Sequence, residues 1–174
     1  MGRTGQSTTR FRMQPKPSFS LTGKARETFA KILDHILEEE CSLSATTRAY
    51  RWKVTGPNFH SLHKLFDEQR RQLDSWLVEL FQRSRAQGVA SRDVIQELNR
   101  PTADSESAPV GMPPQQMIDD LLARHEDMSR KLRENVQKLT DPAMAEILRG
   151  LADFHDTTAW MLRMLLEGPD SRRR

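Results

Sequence analysis

Apolar residues recur every three or four positions along four long stretches of the chain, which is the spacing of amphipathic α-helices. Residues that cap or break helices bound three of the stretches: Thr22 and Gly56-Pro57, Asn58 and Gly88, and Asp141-Pro142 and Gly168-Pro169. The remaining stretch, the third in the chain, carries its apolar residues from Met117 to Val136. Asp141 is a good N-cap, and the proline after it suits the first position of a helix. The pattern predicts four helices of about 25–30 residues each.

The connection between the second and third helices, residues 89–114, is far longer than the other two and contains four prolines. A short amphipathic helix is expected within it, over residues 91–98. Two short links around one long crossover are typical of the ferritin-like bundle. The predicted fold is therefore all-α, a ferritin-like four-helix bundle with one long crossover.

Composition agrees with a helical domain, because Leu, Ala, Glu, Arg, Met and Gln dominate while β-branched residues are few. Cys41 is the only cysteine, so an internal disulfide is excluded and a buried thiol in a reducing compartment is expected. Neither a secretory signal nor an apolar run of about 20 residues is found. We expect a cytoplasmic protein.

Charge divides the chain into three parts. Residues 1–20 form a basic arm without acids, residues 169–174 form a basic tail, and residues 21–168 form a domain with a net negative charge. The cations of the two ends are Arg3, Arg10, Arg12, Lys16, Arg172, Arg173 and Arg174. Because such ends attract phosphates without reading bases, DNA binding without sequence specificity is expected there.

Residues 51–68 contain the pattern Trp-x-Val-x-Gly-x-x-Phe-x-x-Leu-His-x-x-Phe-Asp. This pattern resembles the signature of the Dps family, in which a histidine precedes the tryptophan. The runs at 124–127 and 154–162 extend the resemblance, which covers about residues 21–168. The resemblance implies a bacterial, nucleoid-associated mini-ferritin: a hollow dodecamer that binds and protects DNA in many members and oxidises and stores iron between twofold-related subunits.

The resemblance also implies which residues would bind iron. His63 and Asp67 match two ligands of the family, and their i, i+4 spacing places them on one helix face. The other three ligand positions hold Arg51, Val78 and Gln82 in place of His, Asp and Glu. A guanidinium cannot bind a cation, valine has no donor, and a neutral amide oxygen is a weaker ligand for iron than a carboxylate.

The usual ferroxidase centre is therefore expected to be lost or severely weakened, with iron at most a weak ligand. Arg51 is expected to pair with Asp67 or Glu68 of a neighbouring segment across an interface, replacing a metal bridge with a salt bridge. The expected function is that of a Dps-like shell that binds and protects DNA, with little or no enzymatic activity.

Two alternatives remain open from the sequence. Iron could be oxidised and stored through a relocated site made of His60, His63, Asp67 and Asp74, with Glu79 as a further candidate. The chain could instead join an active paralogue in a mixed assembly and supply half-sites. His35, His125 and His155 are interpreted as packed or capping side chains rather than as ligands.

Overall fold

The computed structural model describes residues 23–86 and 111–167, which form four helices. These are α1 (Gly23–Lys53), α2 (Phe59–Ala86), α3 (Pro114–Val136) and α4 (Pro142–Glu167). No strand occurs in these two ranges, so the all-α prediction is confirmed. The predictions for the arm, the tail, the crossover with its helix at 91–98, and the boundaries at Thr22, Gly88 and Gly168 lie outside the described residues.

Local sequence explains where the helices begin and end. Gly56 has a φ of 97°, a left-handed conformation that glycine adopts without steric cost, and it lies in the turn between α1 and α2. At the start of α4, Oδ1 of Asp141 accepts hydrogen bonds from the backbone N–H groups of Ala143 (2.9 Å) and Met144 (3.1 Å). The predicted N-cap is therefore confirmed.

The bundle consists of two helical hairpins. Helix α1 packs extensively against α2, and α3 against α4, whereas fewer contacts join α1 to α3 and α2 to α4. One buried apolar cluster includes Leu33, Ile36, Leu77, Leu148 and Leu151. A second, nearer the turn between α1 and α2, includes Tyr50, Phe66, Leu73, Leu121 and Leu162.

Some apolar residues that follow the helical spacing do not enter the core. Phe59 of α2 and Leu165 of α4 belong to predicted stripes but are about half exposed, and Trp52, Val78 and Trp160 are also exposed. They lie close to the helix ends or on the faces that the other helices leave uncovered. In the described parts of the chain, no helix is long and apolar enough to span a membrane.

Gly150 of α4 provides a test of the packing between the two hairpins. A Cβ atom at this position would lie 3.2 Å from the indole ring of Trp76 on α2. We expect Gly150→Leu to force this ring aside and to lower the free energy of unfolding by about 1–3 kcal/mol. Urea unfolding would measure the loss, and Gly150→Ala, which adds only one carbon, should change stability much less.

Candidate functional site

Asp67 of α2 is surrounded by three arginines. Its Oδ1 lies 3.1 Å from Nη1 of Arg51 and 3.5 Å from Nη2 of Arg70, and its Oδ2 lies 2.8 Å from Nη2 of Arg71. The Asp67 side chain is only 16% exposed, so these pairs are partly shielded from water. Both carboxylate oxygens are already engaged by cations.

Arg51 reaches Asp67 from the last turn of α1, across the turn that joins the two helices. Arg51 pairs with Asp67, one of the two predicted partners, but the pair forms within one chain and not across an interface as expected. The guanidinium also lies over the indole ring of Trp52, 4.9 Å from its centroid. A planar cation held by a carboxylate and an aromatic face is well fixed in orientation.

His63 lies one turn before Asp67, next to aromatic rings. Its imidazole centroid is 6.2 Å from that of Trp52 and 5.4 Å from that of Phe59. Within residues 23–86 and 111–167, no three His, Cys, Asp or Glu side chains converge in a way that could hold a metal ion. The two matched ligand positions, His63 and Asp67, are therefore not joined by a third.

The side chains suggested for a relocated site are also engaged elsewhere or separate. Asp74 accepts a hydrogen bond from the Ser44 hydroxyl (2.6 Å) and is paired with Arg70. Glu79 lies 3.8 Å from Arg83, and the His60 side chain is exposed. The structure does not bring these groups together around one point.

Val78 and Gln82 lie on exposed positions of α2. Neither provides a carboxylate, and Arg51 adds a positive charge where Fe(II) or Fe(III) would need negative donors. The residues present at the family's ligand positions therefore do not fit an iron centre.

A different polar group occupies the centre of the bundle. Nδ1 of His125 on α3 lies 2.8 Å from Nδ1 of His155 on α4, and Nε2 of His155 lies 2.6 Å from Oε1 of Glu40 on α1. All three residues have 0% exposure. We call Glu40, His155 and His125 the buried histidine chain; it connects three of the four helices.

The buried histidine chain has few polar neighbours. Among the described residues, Oε2 of Glu40 and Nε2 of His125 have no hydrogen-bond partner. The ring of His125 instead packs edge-on against Phe154. Burial, together with the neighbouring His155, lowers the pKa of His125 well below its ordinary value of 6.5. His125 is therefore neutral at physiological pH.

The buried histidine chain was not predicted from the sequence, although the spacing of its three residues places each of them on an apolar helix face. His125 follows Leu121 by four residues, His155 follows Leu151 by four, and Glu40 follows Ile36 by four. Each polar residue therefore continues an apolar stripe into the core. The interpretation of His125 and His155 as packed side chains agrees with their burial, whereas His35, interpreted in the same way, is exposed. The contact between His125 and His155 was not predicted.

The chain is similar in sequence and in fold to several known proteins. The ferritin-like domain family matches residues 30–170. A low-temperature-induced protein of Nostoc sp. is 29% identical over 161 residues, covering 88% of each chain. A DNA protection during starvation protein of Agrobacterium fabrum is 24% identical and covers 84% of this chain and 93% of its own. The crystal structure of Mycobacterium smegmatis Dps has the same fold, with a TM-score of 0.74, 21% identity, and coverage of 87% and 90%.

Proposed function

Because the chain belongs to the ferritin-like domain family and, within it, to the Dps proteins, we propose that it forms a DNA-protecting shell. In this proposal, copies of the chain assemble into a dodecamer in the bacterial cytoplasm, associated with the nucleoid. The interfacial ferroxidase centre is largely lost, so that protection comes from covering DNA rather than from rapid iron oxidation.

The observation that supports the proposed loss of the ferroxidase centre is the pairing of Arg51 with Asp67. A ligand carboxylate that is held by Arg51, Arg70 and Arg71 must give up these partners before it can bind a cation. An iron ion would also meet the fixed positive charge of Arg51. Both effects act against metal binding, and neither Val78 nor Gln82 offers a charge that would offset them.

Exposed apolar side chains support assembly. Trp52 is 70% exposed, which is a large apolar surface for a protein that acts as a monomer. Phe59 and Val78 lie on the neighbouring helix α2, and Trp160 and Leu165 are exposed on α4. Exposed apolar side chains on three helices suit a closed shell, in which each subunit contacts several neighbours.

The basic ends support DNA binding. Each copy contributes the four cations of residues 1–20 and the three terminal arginines of residues 169–174. A shell would present many such segments at once, so weak phosphate contacts would add up to a strong overall affinity. Nothing in the sequence suggests a helix that reads base edges, so the proposed binding is independent of sequence.

We expect neutralisation of the arm, by Gln substitution of Arg3, Arg10, Arg12 and Lys16, to weaken DNA binding and to flatten its salt dependence. Every phosphate contact contributes about −0.9 to the slope of log K against log salt, so removing several contacts per bound duplex changes the slope measurably. Gel-shift or anisotropy titrations at several salt concentrations, on duplexes of unrelated sequence, would measure it.

A matched control removes the same number of exposed cations from the domain, by Gln substitution of Lys24, Lys31, Arg83 and Lys138. This variant should keep most of the affinity and slope of the unaltered protein. If both variants lose affinity equally, binding depends on net charge rather than on the arm. If the unaltered protein does not bind DNA at low salt, the DNA-protecting function is wrong.

A further inference from the structure

The two hairpins of the bundle are joined by few polar links. Tyr50 of α1 donates a hydrogen bond to Asp120 of α3 (2.8 Å), and Lys131 of α3 pairs with Glu39 of α1. Both links are partly exposed. Among the described residues, the buried histidine chain is a link with no exposure to solvent, because the Glu40 carboxylate of the first hairpin holds the His155 imidazole of the second.

The contact between the two imidazoles depends on a single proton. Two Nδ1 atoms 2.8 Å apart form a hydrogen bond only when one carries a hydrogen and the other offers its lone pair. If both carried hydrogens, two N–H groups would point at each other within a space that water does not reach. A proton placed on Nε2 of His125 would also lack an acceptor among the described residues.

We propose that the buried histidine chain is an acid-sensitive clasp, which holds the two hairpins together while one Nδ1 is unprotonated and opens when both imidazoles carry protons on Nδ1. Opening would separate His155 from His125 inside the second hairpin. It would also shift the ring that Glu40 of the first hairpin binds. Acid would thus loosen the bundle, and any assembly built from it.

Two carboxylates lie next to the imidazoles of the clasp, one on α1 and one on α4. From α1 the facing group is Glu40, and from α4 it is Asp156, which lies next to His155 and accepts a hydrogen bond from Ser129 of α3 (2.5 Å). Burial raises the pKa of Asp156, but the hydrogen bond from Ser129 and the positive charge of Arg133 lower it by more. The pKa of Asp156 therefore lies below its usual value. Asp156 therefore stays charged until well into the acid range.

Helix α2 contributes no charge directly to the clasp. It contacts the chain through Trp76, which packs on Phe154, the ring that covers His125. Its nearby ionisable residues, Asp74 and Arg70, are paired with each other, and Asp74 is bonded to Ser44 of α1. The protonation of the two imidazoles therefore depends on groups of α1, α3 and α4.

The direction of the pH effect follows from the lowered pKa of His125. In the unfolded chain this residue binds a proton near its ordinary pKa of 6.5, whereas in the folded chain it does so only at a much lower pH. The unfolded state therefore binds more protons between these two values, and stability falls as the pH is lowered below about 6.5. For one histidine of this kind, the equilibrium constant for unfolding rises about tenfold for each pH unit of acidification.

The test is urea unfolding of the full chain, at fixed protomer concentration, between pH 8 and pH 4.5, followed by far-UV circular dichroism. His125→Asn places an amide near the position of Nδ1, where it can donate or accept a hydrogen bond, but the amide does not take up a proton. His35→Asn makes the same change at an exposed histidine. We expect the unaltered protein and His35→Asn to lose stability with a slope about one proton steeper than that of His125→Asn.

Equal slopes for the unaltered protein and His125→Asn would overturn the proposal. If His125→Asn does not fold, long-range ¹H–¹⁵N imidazole spectra of the unaltered protein decide the question. A neutral His125 that persists down to the acid transition supports the clasp. Protonation of His125 near pH 6.5, with the fold intact, overturns it.

Discussion

The triple variant Arg51→His, Val78→Asp and Gln82→Glu is expected to oxidise Fe(II) rapidly, whereas the unaltered protein matches a protein-free blank. The substitutions supply an imidazole and two carboxylates at the family's ligand positions and remove the guanidinium that holds Asp67. Single supporting residues already change metal affinity by about 10–100-fold, so restoring three ligands should exceed this range. The measurement is ferric product formation by absorbance, with peroxide or oxygen as oxidant.

The control for this variant carries the same three changes of charge at exposed positions, as Arg149→His, Ser75→Asp and Gln116→Glu. It should remain as slow as the unaltered protein, which separates ligand placement from a general increase in negative charge. Arg70 and Arg71 remain next to Asp67 in the triple variant, so iron has to displace them. The two added carboxylates and the loss of the Arg51 charge supply the electrostatic attraction that this displacement requires.

Two outcomes would contradict the interpretation of the site. An assembled triple variant that is no faster than the blank would show that the three positions do not explain the loss. Rapid, saturable oxidation by the unaltered protein would show that the ligands have moved, and would favour an iron-storing mini-ferritin with a site around His60 and Asp74.

Removal of the central imidazole by His155→Leu is expected to lower the free energy of unfolding by about 3–5 kcal/mol at neutral pH. The reason is that Glu40, with 0% exposure, would lose the one hydrogen-bond partner that it has among the described residues and remain as a buried carboxylate without a partner. Urea unfolding at a fixed protomer concentration is the measurement, since assembly makes apparent stability depend on concentration.

Two further variants identify the cause of this loss. His35→Leu changes an exposed histidine and should alter stability by no more than about 0.5 kcal/mol. Adding Glu40→Gln to His155→Leu removes the buried charge, so the double variant should regain part of the lost stability. A loss below about 1 kcal/mol for His155→Leu would mean that water or a rearranged side chain replaces the imidazole, contrary to the packing described above.

The helices and their boundaries were predictable because the information for them is local. Asp141 followed by a proline specifies a helix start within three residues, and Gly56 specifies a turn by its own conformational freedom. Phe59 and Leu165 follow the helical spacing of α2 and α4, yet about half of each side chain is exposed. An apolar residue at helical spacing gives the same sequence pattern whether it packs in the core of its own bundle or against another subunit.

In the candidate site, too, contacts between nearby residues were easier to predict than contacts between distant ones. Arg51 and Asp67 lie on consecutive helices, and their opposite charges were enough to predict a pair between them. The sequence did not indicate that the pair would form within one chain, because it was expected across an interface. The buried histidine chain joins Glu40 to His155, which are 115 residues apart, and then to His125. Such a contact depends on the rotation and axial position of three helices against each other, which periodicity alone does not fix.

The division of the bundle into two hairpins affects how the chain tolerates change. Most contacts form within α1–α2 and within α3–α4, so each half is assembled from segments that are close in sequence. The segment between them, residues 87–113, closes a loop whose entropic cost grows only with the logarithm of its length. Insertions there should cost little stability, so this segment is where lineages can vary in length, and where a fused domain or a break in the chain would disturb the bundle least.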